Sequence, residues 1–169
     1  SHHRRIFERC QGSTHNHQNW SGGYIDHITE VMNFAVLLWM ATSLTGRRVP
    51  KLSDALLVLF LHDIEKPWKY EEGPDGELQH RPQFKTAEDQ HRFVERKIAE
   101  YGIVLNDEQL NALRYVHGEL NDYSSRKRAM NELAAFCHMC DVWIARGWHD
   151  YPLENNDPCS GAGRLRMGR

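Results

Sequence analysis

The sequence has no long apolar run. One apolar stretch, Ala55 to Leu61, is broken by His62 and Asp63, far short of the roughly 20 residues a membrane span needs. It also lacks an excess of either charge: 21 basic residues face 23 acidic ones, so no global field selects nucleic acid or an anionic membrane surface. Arg164, Arg166 and Arg169, near the end, read as a solvated tail. No basic stretch leads into an apolar segment at the start, so no secretion signal is expected. Cysteine is scarce, at four, and only Cys137 and Cys140 lie close together. Their C-x-x-C spacing falls in a helical segment with no second pair, which argues against a disulfide framework, a zinc knuckle or a redox pair. A reducing cytoplasm is the compartment these features imply. Internal repeats and low-complexity tracts are absent as well.

What is present is one domain's worth of chain, 169 residues, with 11 histidines. Residues 1–20 read as an irregular segment holding Thr14-His15-Asn16-His17 and Trp20, running into the turn Ser21-Gly22-Gly23. From Asp26 to about Ser43 apolar residues recur at helical spacing, with Val31, Phe34 and Leu38 on one stripe and Gly46 and Pro50 as the stop. Ser53 is expected to cap a second helix, Asp54 to about Asp63, apolar on every side and so placed at the centre of the fold. The turn residues Gly73-Pro74-Asp75-Gly76 between short alternating runs predict a small hairpin near 68–80. Three more helices are expected: Thr86 to Tyr101, Asn106 or Asp107 to about Leu120, and Arg128 to Arg146, closed by Gly147. Residues 148–169 read as an irregular tail. The fold class is all-α, a single helical domain over 21–147.

The helical wheel then sorts the histidines. His27 precedes Val31, Phe34 and Leu38 by four, seven and eleven positions, so it faces the core. His62 and Asp63 end the most apolar helix, where a buried carboxylate without a partner would be costly. Asp141 shares the inward face of Leu133, Cys137 and Ile144 and poses the same problem. Two inward imidazoles and two inward carboxylates invite one divalent ion. His149-Asp150, in the tail, is assigned no role.

A histidine opening the first long helix, a His-Asp pair ending an apolar helix and a late aspartate together resemble the HD-domain superfamily of metal-dependent phosphohydrolases. The matching residues are His27, His62, Asp63 and Asp141. The lead-in Trp20-Ser21-Gly22-Gly23-Tyr24-Ile25-Asp26-His27 is similar to the Gly-Gly segment of several branches. Leu61-His62-Asp63-Ile64-Glu65-Lys66 is similar to a common His-Asp-Ile-Gly-Lys run, with Glu65 where glycine stands. The resemblance covers about residues 15–146 and implies an HD-type helical bundle acting on a nucleotide or other small phosphate ester.

Branches with two metals carry further histidines between the His-Asp pair and the last aspartate. His91, on the stripe of Ala87, Val94 and Ile98, and His117, on that of Leu110 and Leu113, are expected to face inward and supply them; His80 competes with His91. His138 is left between ligand, ligand support and core residue. The mixed donors suit manganese, iron, cobalt, nickel or zinc better than magnesium. One ion is expected and a second is open.

The expected chemistry is hydrolysis by a metal-activated water, with Asp63 and Lys66 catalytic. Lys66 is placed at the rim as a phosphate contact, with Arg114 and Lys69 as weaker candidates and Trp20 and Tyr24 as stacking surfaces for a base. Two alternatives stand beside it: a diiron oxygenase of the same superfamily that cleaves a carbon bond, and a non-catalytic nucleotide-binding domain. The expected partner is a small phosphate substrate, with no membrane and no strong nucleic-acid signal; oligomeric state is not legible.

Overall fold

In a computed structural model, residues 2–13, 17–72, 74 and 78–147 are described. The expected tail 148–169, with His149-Asp150 and the terminal arginines, lies outside them.

Among the described residues the chain is helical, with a small hairpin. Helix α1 spans His2–Arg9, α2 Gly23–Ser43, α3 Leu52–Leu61 and α4 Lys66–Lys69. Strands β1 (Tyr70–Glu72) and β2 (Leu78–His80) follow, then a 3-10 turn at Pro82–Phe84, α5 (Ala87–Glu100), α6 (Asp107–Tyr115) and α7 (Glu132–Gly147). The all-α single domain expected from periodicity is what forms. The hairpin pairs antiparallel, with Tyr70 opposite His80. The one surprise at the start is α1, in a segment expected to be irregular. It has little apolar content, but Phe7 packs against Tyr24 and edge-on to Trp68, at centroid distances of 5.8 and 5.3 Å, and this anchors the helix from outside its own sequence.

Helix ends follow local chemistry. The Thr86 hydroxyl accepts from Asp89 N, and Asn106 with Gln109 forms a reciprocal capping box. Ser53 does not cap α3: the helix starts at Leu52, and the capping position is Lys51. Helix α7 starts later than expected, because Asn131 Oδ1 accepts from Ala134 N at 2.7 Å and sets the first turn there. Helix α6 stops at Tyr115 rather than Leu120, since Gly118 takes φ 105° and Leu120 φ 46°, which no helix continues through.

Helices α2, α3, α6 and α7 pack on one another. Their shared core holds Val31, Ala35, Val58, Leu59, Cys137 and Ile144, each large aliphatic contributing roughly 1.5–3 kcal/mol. Cys137 and Cys140 belong to it as free buried thiols, and burial pushes the Cys140 thiol up to about 12. They are packing residues. A second apolar cluster of Leu61, Ile64, Val94, Ile98 and Leu113 holds α5 against α3 and α6. Among the described residues, no helix is long and apolar enough to cross a membrane.

Candidate metal centre

The site forms where three inward helix faces meet. His27, in the second turn of α2, is fully buried, one turn before the equally buried Val31. Asp141, on α7, is buried on the face of Cys137 and Ile144. His62 is the residue at which α3 ends, and its Nδ1 donates to the Leu59 carbonyl oxygen at 2.6 Å. That bond satisfies a carbonyl near the helix end and keeps a proton on Nδ1, so that Nε2 faces the carboxylates. Asp63 follows immediately and is 3% exposed.

The four side chains converge. His27 Nε2 lies 3.2 Å from Asp141 Oδ1 and 3.6 Å from Asp63 Oδ2. His62 Nε2 lies 3.2 Å from Asp63 Oδ2 and 3.5 Å from Asp141 Oδ1. Ligands about 2.1 Å from one ion sit about 3.0–3.4 Å apart in octahedral or tetrahedral arrangements, so these spacings suit a shared cation. Both nitrogens of His27 and Nε2 of His62 are buried without a hydrogen-bond partner among the described residues, and buried polar atoms are rarely left so. His27, His62 and Asp141 could therefore hold a metal ion.

A second overlapping group is His62, Asp63 and His117. His117 Nε2 is 3.6 Å from Asp63 Oδ1, although half its side chain is exposed. The inward orientation expected for His117 needs correcting: it sits in the turn beyond α6, at the edge of the centre. His138 holds that turn, its Nδ1 donating to the Val116 carbonyl oxygen at 2.6 Å. It supports a neighbour of the centre.

Charge is shared tightly here. Burial drives the His27 pKa down to about 4. Burial opposes a charge on His62 too, but the adjacent Asp63 and Asp141 carboxylates overcome it and hold the imidazole well above its usual range. Asp63 is held well below the carboxylate range, against burial, by Lys66 and then His62. Asp141 is likewise low, against burial, through its contacts with His27 and His62.

Several expectations about substrate contacts need correction. Lys66 is buried, not at the rim: its Nζ lies 2.6 Å from Asp63 Oδ2 and donates to the Gly12 carbonyl oxygen. Trp20 is buried and its indole donates to Asp26 Oδ2 at 2.8 Å; Tyr24 is buried against Phe7. Neither offers a face to a base. Lys69 donates to Gln90 Oε1 at 3.2 Å and lies 3.8 Å from Glu65. His91 is exposed and belongs to neither ligand group among the described residues. It does line a cleft that adjoins the centre and is shared by His62, Glu65, Leu113, Arg114 and His117. Arg114 stands there bonded to Asp122 Oδ2 at 3.1 Å. His80 lies on β2, and its side chain is outside the described set.

The wheel missed His17, whose ring centroid is 4.7 Å from that of His27 and whose Nδ1 donates to Gln18 Oε1 at 2.8 Å. Its only sequence signal is the density of histidine just before the glycine turn. Gly23 explains how this loop approaches: a Cβ there would overlap the Gln18 carbonyl oxygen. Comparison with protein-family models, curated proteins and solved structures finds no match to this chain.

Proposed function

We propose that this chain is a metal-dependent phosphohydrolase of the HD type, acting on a nucleotide or related small phosphate ester. The observation that carries the reading is that the Nε2 atoms of two buried imidazoles each lie 3.2–3.6 Å from oxygens of two buried carboxylates, with the His27 nitrogens lacking hydrogen bonds among the described residues. A divalent manganese, iron, cobalt, nickel or zinc ion would acidify a water and offset phosphoryl charge there. His27, His62, Asp63 and Asp141 would hold it. Asp63 orients the attacking water, its Oδ1 facing the solvent-side His117 at 3.6 Å. Lys66 keeps the Asp63 carboxylate ionised and fixed, a positioning role. Arg114 and His117, which line the cleft, would meet the phosphoryl oxygens.

The test is elemental analysis of untagged protein, then a phosphate-release screen over nucleotides with several metals. Asp63→Ala and His62→Ala should lose both bound metal and phosphate release while far-ultraviolet dichroism stays helical. A folded Asp63→Ala protein with full activity would refute the assignment.

The overlapping group His62, Asp63 and His117 favours one second reading, a two-iron oxygenase. Two irons per chain and oxygen uptake coupled to substrate loss would select it; anaerobic phosphate release with manganese would select hydrolysis.

A further inference from the structure

Glu65 is 4% exposed. Its Oε2 is buried with no hydrogen-bond partner among the described residues, and its Oε1 lies 3.8 Å from Lys69 Nζ. That ammonium already donates to Gln90 at 3.2 Å. The backbone gives no reason for a glutamate, since φ −74° and ψ −23° suit almost any residue. A carboxylate oxygen withdrawn from water persists poorly unless a donor meets it. Glu65 lines the cleft beside the metal centre, so the donor can arrive with a ligand.

The rest of the cleft narrows the ligand. Arg114 and His117 are exposed and cation-capable, while Val94 and Leu113 are buried and apolar. Cation-capable groups for an anionic group, apolar side chains for a flat apolar ring and a buried carboxyl for a hydrogen-bond donor together suit a nucleoside phosphate. We propose that Glu65 is a specificity-determining residue of this cleft, accepting a hydrogen bond from an N–H or O–H group on the nucleoside part of a nucleoside phosphate. This rests on the function proposed above.

The test is calorimetric binding to the manganese-loaded full chain, using inorganic phosphate and the four ribonucleoside monophosphates as probes. At least one nucleotide should bind more tightly than phosphate. In Glu65→Ala that advantage should fall about tenfold or more, and in Glu65→Gln, which keeps the volume and a weaker acceptor, by less. A purely structural role would shift melting temperature without changing the ratio. An unchanged ratio in folded Glu65→Gln and Glu65→Ala, or a wild-type protein that prefers no nucleotide over phosphate, would overturn the inference. Phosphate release from the same nucleotides is read separately: its absence alongside Glu65-dependent binding would sink the hydrolase reading alone.

Discussion

Lys66 Nζ lies 2.6 Å from Asp63 Oδ2, inside the protein. Both groups are buried, and the lysine carries the local positive charge that the carboxylate needs. Removing it as Lys66→Met should destabilise the metal-free protein by about 3–5 kcal/mol, because an ionised partner is left buried and unpaired. In the metal-loaded protein the loss should be smaller, since the ion takes over the neutralisation. Urea unfolding with and without metal checks this, and equal losses in both states would contradict it.

Metal uptake should release a proton near neutral pH. In the metal-free protein the His62 pKa is raised above its ordinary value, toward the protonated form: burial opposes the charge, but Asp63 and Asp141 overcome it. Coordination needs the Nε2 lone pair, so protons compete with the ion. Affinity should therefore rise with pH until His62 is neutral. Calorimetry in buffers of different ionisation enthalpy counts the protons, and a heat independent of buffer would contradict the expectation.

His117→Ala separates the two overlapping ligand groups. His27, His62 and Asp141 do not depend on it, and its side chain is half exposed. Tight metal content and melting temperature should hold, while phosphate release falls at least about tenfold. Unchanged turnover at equal metal content would remove His117 from the site.

Gly23→Ala and Gly46→Ala probe different needs. At Gly23 the new methyl meets the Gln18 carbonyl, so the loop bearing His17 must shift, at about 1–3 kcal/mol. Gly46 has φ 69° but nothing within 4 Å, so only the left-handed backbone cost of about 1–2 kcal/mol applies. Thermal unfolding gives the stabilities. Metal affinity should drop for Gly23→Ala alone; equal affinity in the two variants would show that the loop does not brace the centre.

Much of this was legible because burial imposes a period. Val31 predicts the orientation of His27, and Cys137 with Ile144 predicts that of Asp141, since all lie in regular, well-packed helices. The same rule failed for His91. Its stripe is real, but that part of α5 borders the cleft, where an inward heading meets solvent. Lys66 misled for a related reason: the chain turns immediately after α3, folding a residue expected at the rim back onto Asp63. Glu65 fits a helical turn without strain, so its substitution for glycine in the run it resembles changes chemistry and leaves the backbone alone. Helix α1 and the approach of His17 depend on contacts with distant residues, which local periodicity does not encode.

The proposed ligands come from α2, the end of α3 and α7, so an ion gripped by all four would tie together segments far apart along the polypeptide. Such a tie works like a removable cross-link: the unfolded chain cannot keep the geometry, so every increment in free-ion concentration above the dissociation constant adds to the work of unfolding. Chelation would then act on the whole helical assembly, lowering its melting temperature as well as silencing its chemistry.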